Sequence, residues 1–213
     1  MKKLKKFIKM NIFFKIHRNV PMSNIIYNNE KCYIKEGFGG QPIKKSPLYQ
    51  FFYEYIKGDK EIAFKNFCAW YADQFEKYCN IDKKSGGMRF GSLYTLIEKR
   101  HLQKERKFQS PKDFDASIVA EAIKQRVTER FALVDSIIKN GYTPNPSDPI
   151  VAIKIGGKYV LQRAGHHRCC IIAALGENYY PQVFAPRGIA ARYIYLYFQE
   201  IKWLLKRRHD KRL

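Results

Sequence analysis

The stretch from Ile150 to Phe184 narrows the choice of fold more than any other. Ile150 to Ile155 alternates with a β-branched bias, Gly156-Gly157 supplies two consecutive residues that tolerate positive φ, and Tyr159 to Gln162 continues as a second strand. This is the pattern of a hairpin closed by a two-residue turn. Directly after Gly165 the pattern changes: a helix is expected through Arg168 and Ile171 to Leu175, closed by Gly176, before Tyr180 to Phe184 supplies another short strand. The expected fold class is α/β (α+β), a small mixed sheet preceded by a helical N-terminal region.

The whole chain divides by composition into four parts. Residues 1–45 read as a basic amphipathic segment, with Leu4, Phe7, Ile8 and Ile12 at helical spacing, followed by a connecting loop containing Gly37, Gly39, Gly40 and Pro42. Residues 46–113 read as helical. Ser46-Pro47 is a helix start, Leu48, Phe51, Phe52, Tyr55 and Ile56 form one apolar stripe, and Ile62, Ala63, Asn66, Phe67, Trp70, Tyr71 and Phe75 form the next. Residues 114–186 carry the sheet domain, opened by a long helix from about Ser117 to Asn140 with Val119, Ile123, Val127, Phe131, Val134 and Ile138 on one face and Gly141 at its end. Residues 187–213 form a basic helix with Ile194, Phe198, Ile201 and Leu205 in register.

Charge limits the partners. The 40 Lys and Arg against 19 Asp and Glu leave a formal net charge of +21, which attracts polyanions: nucleic acid, anionic membrane surfaces or phosphorylated small molecules. Both termini are rich in it, with seven Lys or Arg and no acid in residues 1–19 and six against two acids in residues 199–213. Each end therefore suits either anionic lipid or packing as an ordinary terminal helix with a solvated basic face. The longest apolar run, Cys169 to Leu175, is seven residues, far below the roughly 20 of a spanning helix. Lys9 and Lys15 interrupt any signal-peptide core, and five cysteines without a CxxC pair suggest reduced thiols. The expected location is cytoplasmic, with peripheral attachment at the inner membrane face through the basic ends.

The chemistry concentrates where strand gives way to helix. Gly165-His166-His167-Arg168 sets two imidazoles and a guanidinium at a helix N-terminus, where backbone amides and the helix dipole favour an anion. Arg presents a planar fork to phosphate oxygens, and each His can donate a hydrogen bond or pass a proton near neutral pH. Without an anion, cations are unfavourable in that first turn. A second glycine-rich stretch, Ser85-Gly86-Gly87-Met88-Arg89-Phe90-Gly91-Ser92, also leads into a helical pattern, so Gly86, Gly87, Arg89 and Ser92 form a second candidate phosphate patch, alternatively a structural loop with Ser92 as N-cap.

Taken together, Leu133-x-x-Ser136-Ile137-x-x-x-Gly141, Pro149-Ile150-Val151, Gly157-x-Tyr159-Val160-Leu161, Gly165-His166-His167-Arg168, Ala173-Ala174-x-Gly176 and Pro181-x-Val183 resemble the ParB/sulfiredoxin superfamily over roughly residues 115–186. The resemblance implies a nucleotide bound at the strand-to-helix motif. Its members include CTP-dependent partition proteins, ATP-dependent sulfiredoxin and a kinase of free serine. His166 stands where sulfiredoxin carries its cysteine, and the partition type has Glu-Arg-Arg after the glycine. The free-serine-kinase type is most similar at Gly-His-His-Arg, although Ala164 replaces its usual Asp.

What the resemblance implies is a phosphotransferase using ATP or ADP with Mg²⁺, acting on a small hydroxyl compound or a glycan. His166 and His167 would serve in catalysis, with Asp113, Asp115 or Glu121 as the base. Gly165, His167 and Arg168, helped by Arg126, Arg130 and Arg163, would hold phosphates. No protein residue is expected as a metal ligand. The alternative is a ParB-like nucleic-acid-binding protein without catalysis.

Overall fold

The computed structural model describes residues 14–27, 40–80, 115–144, 149–162, 165–176, 180–188 and 191. Two compact units result, residues 51–140 forming one and residues 1–50 with 141–213 the other.

The sheet unit is built on six strands in the order β1-β6-β4-β5-β2-β3: β1 is Phe14–His17, β2 Ile25–Tyr27, β3 Gln41–Pro42, β4 Ile150–Ile155, β5 Lys158–Leu161 and β6 Val183–Pro186. The Gly156-Gly157 turn closes the β4-β5 hairpin with φ of 50° and 80°, values suited to glycine, and the register pairs Ile155 with Lys158 and Ala152 with Leu161. β6 lies parallel to β4 and β2 parallel to β5, whereas β1 and β3 pair antiparallel with β6 and β2, so the sheet is mixed. The fold is α/β, as the residue patterns require.

The N-terminal segment departs from expectation. Residues 14–17, 25–27 and 41–42 are not connection but sheet: β1 borders β6 and β2 borders β5. Ile25 and Tyr27 are buried, and β2 runs for three residues only, too short for an alternating pattern to stand out in the sequence. The expected amphipathic run Leu4 to Ile12 and residues 189–190 and 192–213 of the expected basic helix 187–213 lie outside the described residues. The last strand is Val183–Pro186 rather than Tyr180 to Phe184, and Tyr180 is exposed.

Between β5 and β6 runs helix α4 (His166–Leu175), preceded among the described residues by α1 (Pro47–Lys57), α2 (Lys60–Asn80) and α3 (Ala116–Asn140). Cys169 to Ala174 are six consecutive buried residues. A helix buried all round needs apolar side chains on every face, and that is the composition of Cys-Cys-Ile-Ile-Ala-Ala. Ser46, the buried polar residue among the described ones, meets this helix: its hydroxyl lies 3.3 Å from Cys170 Sγ and donates to the Ile43 carbonyl at 2.8 Å. The Tyr49 amide donates to Ser46 Oγ at 3.2 Å, so Ser46 is the N-cap that the sequence announces for α1.

The helical unit comprises residues 51–140, with Phe51 onward of α1, α2 and α3. Asp59 caps α2, its Oδ1 accepting from the amides of Glu61 (2.7 Å) and Ile62 (3.0 Å). The core is aromatic: Phe67 stacks on Phe51 at 4.7 Å between centroids and meets Phe52 and Phe131 edge-on at 5.8 Å each. On α2 and α3 the centre of each stripe read in the sequence is buried, Ile123, Val127, Phe131 and Val134 included, and the differences lie at its edges. On α2 the buried residues are Ala63, Phe67, Tyr71 and Phe75, a strict i, i+4 row, while Ile62 is 50% exposed. On α3, Ile118, Ala122 and Ile137 are buried and Ile138 is 48% exposed. Adjacent apolar residues offer two faces about 100° apart, and only the packing partners choose between them. The long helix α3 clusters with α2 in this unit. Among the described residues, no helix is long and apolar enough to cross a membrane.

Candidate functional site

Gly165 occupies the hinge between β5 and α4 with φ of +99°, in the left-handed region, and acts as the N-cap without a side-chain hydrogen bond. Two constraints demand glycine there. The dihedral disfavours any L side chain, and a Cβ would lie 2.8 Å from Cγ2 of Ile150 on β4. The first helical bond joins the Cys169 amide to the Gly165 carbonyl at 2.9 Å, so the amides of His166, His167 and Arg168 all precede the intrahelical ladder. The first turn contains no acid.

All three side chains of that turn are half-buried. His166 is held by Tyr27 of β2, the two rings meeting edge-on at 5.1 Å and 82°. The strand missed in the sequence thus supplies a wall of the expected motif. Cys169 and Cys170 follow immediately, fully enclosed. Burial, reinforced by the neighbouring Cys170, pushes the Cys169 thiol far up, and burial pushes Cys170 up to about 12. Both are protonated at neutral pH and unsuited to nucleophilic chemistry.

Of the expected phosphate ligands, Gly165, His167 and Arg168 stand together. Arg163 lies outside the described residues, as do Asp113, Gly86, Gly87, Arg89 and Ser92. Asp115 belongs to the helical unit, where its Oδ1 caps α3 by accepting from the Ser117 amide at 2.8 Å and from the Ser117 hydroxyl. Glu121 is exposed on the same helix. Arg126 pairs with Glu129 at 2.8 Å, and the Nε atoms of Arg126 and Arg130 are enclosed without a hydrogen-bond acceptor. Arg130 sits beside Tyr71, whose hydroxyl is pushed up by burial against the opposing influence of Arg130. Among the described residues, no group of three His, Cys, Asp or Glu could hold a metal ion.

Four further basic residues, none of them expected as a site residue, also come together. Lys15, His17, Lys154 and Arg187 line one cleft in the sheet unit. In a chain with 40 Lys and Arg, no local signal distinguishes these positions from the other basic ones.

No family model matches this sequence, and neither a curated protein nor a solved structure matches it.

Proposed function

We propose that the chain is a nucleotide-binding phosphotransferase that receives the nucleotide phosphates at the start of α4 and passes a phosphoryl group to a hydroxyl compound. The observation that carries this reading is the turn at Gly165. Its dihedral and the Ile150 side chain together exclude any other residue, and the helix it launches opens on His-His-Arg with no acid. Cations at the positive end of a helix dipole are offset when an anion is bound. The succession of hairpin, glycine, helix and strand follows the order in which the ParB/sulfiredoxin resemblance sets its nucleotide motif, which supports the same reading.

In this scheme Arg168 offers two parallel donors to phosphate oxygens and His167 a third, while His166, steadied by Tyr27, is the nearest group to the transferred phosphoryl and holds a proton there. Mg²⁺ would be held chiefly by the phosphate oxygens, as suits a cation that binds few protein ligands. When bound it would neutralise charge that develops during transfer. Asp113, Asp115 and Glu121 remain the proposed bases for the acceptor hydroxyl, Asp115 giving up its capping bonds if it serves.

The test is thermal unfolding and calorimetry with ATP, ADP, CTP and GTP in the presence of Mg²⁺, on the wild type and on Arg168→Ala. Saturable stabilisation that the variant loses supports the site. Stabilisation by no nucleotide sinks the reading. The net charge of +21 favours one competitor, a nucleic-acid-binding protein without catalysis. Salt-sensitive oligonucleotide binding that survives Arg168→Ala would select it.

A further inference from the structure

At the far end of β4 from Gly165 lies a cleft of about 670 Å³, lined by Lys15, His17, Lys154, Arg187 and the glycines of two turns. Ile150, which packs on Gly165, begins β4, and the Gly156-Gly157 turn ends it, so roughly 17 Å of strand separates the two places. No carboxylate lines the cleft among the described residues.

Its basic side chains come from three elements, and those of His17, Lys154 and Arg187 have contacts within the sheet unit. Lys15 and His17, two residues apart on β1, project from the same face of that strand. The Arg187 guanidinium, just past β6, donates through Nε to the Phe14 carbonyl at 3.2 Å. Tyr159 of β5 ties the others together: its hydroxyl is 3.0 Å from His17 Nδ1, and Lys154 Nζ lies 5.4 Å from its ring centre. Gly157 and Gly188 have φ of 80° and 71°, and a Cβ at either would meet nothing within 4 Å, so the backbone at both turns is open to a ligand. Lys15, Lys154 and Arg187 converge on one hollow, and an anion placed there is drawn to all three.

We propose that this cleft is a second anion site, separate from the α4 motif, for a small compound carrying a chain of two or three phosphates. Its size falls within the range of small-molecule sites, roughly 300–1,000 Å³. A nucleic-acid duplex would call for an extended basic stripe reaching about 6–10 phosphates. Here the cations surround one hollow bounded by two turns. The anion would be contacted by Lys15, Lys154 and Arg187, with His17 donating once protonated. Burial, then Lys154 and Lys15, lower the His17 pKa. A bound polyphosphate cancels the two lysine contributions and raises it.

The experiment uses the full chain and inorganic tripolyphosphate, followed by calorimetry and by the NMR signal of the His17 ring. In Arg168→Ala, which removes a phosphate ligand proposed for the α4 motif, tripolyphosphate should still move the His17 signal as it does in the wild type. Lys15→Gln/Lys154→Gln should bind about tenfold or more weakly, and a control at exposed lysines of the helical unit, Lys65→Gln/Lys139→Gln, should not differ from wild type. In the wild type the ligand should shift the His17 signal and raise its titration midpoint, a readout that needs no variant to fold. The proposal is overturned by absence of binding, by binding that Arg168→Ala abolishes, by equal loss in the lysine control, or by an unmoved His17. Cleft-dependent binding of a single-stranded oligonucleotide without tripolyphosphate binding would overturn it too.

Discussion

The Ser46 hydroxyl faces the Cys170 thiol at 3.3 Å, which joins the cap of α1 to the centre of the buried helix α4. One side chain serves three purposes there: it accepts from the Tyr49 amide, donates to the Ile43 carbonyl and fills space against sulfur. Ser46→Ala should cost about 1–2 kcal/mol, the worth of an N-cap in a buried setting. The midpoint of urea unfolding measures it, and an unchanged midpoint would show that the cap contributes nothing.

Gly165→Ala tests the hinge. The left-handed dihedral costs about 1–2 kcal/mol for a residue with a Cβ, and the approach of Ile150 adds overpacking of about 1–3 kcal/mol. Because the clash is with Ile150, shortening that residue should relieve part of it. The double variant Gly165→Ala/Ile150→Ala should therefore be more stable than the sum of the single losses predicts. Strict additivity would mean that dihedral strain alone makes the glycine necessary.

Phe67 is fully buried amid Phe51, Phe52, Tyr71 and Phe131, whereas Ile62, five residues earlier on α2, is half-exposed. Phe67→Ala should lose about 3–5 kcal/mol and Ile62→Ala about 0.5 kcal/mol or less. A reversed order, read from thermal or denaturant melts, would contradict the helix face described above.

Thiol reactivity should separate the cysteines. Cys68 is partly accessible, with a thiol raised by burial, while Cys169 and Cys170 are enclosed and raised much further. Under native conditions at pH 8, iodoacetamide followed by peptide mass spectrometry should label Cys68 before Cys169 or Cys170, which should react only on unfolding. Early labelling of the α4 pair would show that the helix is not enclosed.

Tyr55 stacks on Phe131 at 3.9 Å and donates to Asp135 at 2.9 Å; burial first, and then that bond, push its hydroxyl from about 10 up to about 12. Between these two values the unfolded chain has released the proton and the native protein has kept it. Its contribution to stability is thus fully present below pH 10 and declines as pH rises toward 12. Tyr55→Phe should flatten the alkaline fall in unfolding free energy relative to wild type, and parallel curves would exclude Tyr55 as a source of it.

Local chemistry was legible in the sequence wherever neighbours in the chain decide the conformation. Ser46-Pro47 announces α1, Gly156-Gly157 makes the hairpin turn, and Gly165 and Gly176 bracket α4, because caps and tight turns are satisfied by residues three or four apart. Tertiary structure alone decided the rest. β1, β2 and β3 are two to four residues long and gain their hydrogen bonds from strands far along the chain, so no local period marks them. The choice between Ile62 and Ala63, or Ile138 and Ile137, as core depended on what the opposing helix presents. The basic cleft likewise exists because β1 and β6 pair in register, Phe14 opposite Pro186, and thereby bring Lys15 and His17 to Arg187 from opposite ends of the chain. Caps and turns are short-range and carry their own signal, whereas strand partners and charge clusters are products of long-range pairing, in which any one residue looks like many others.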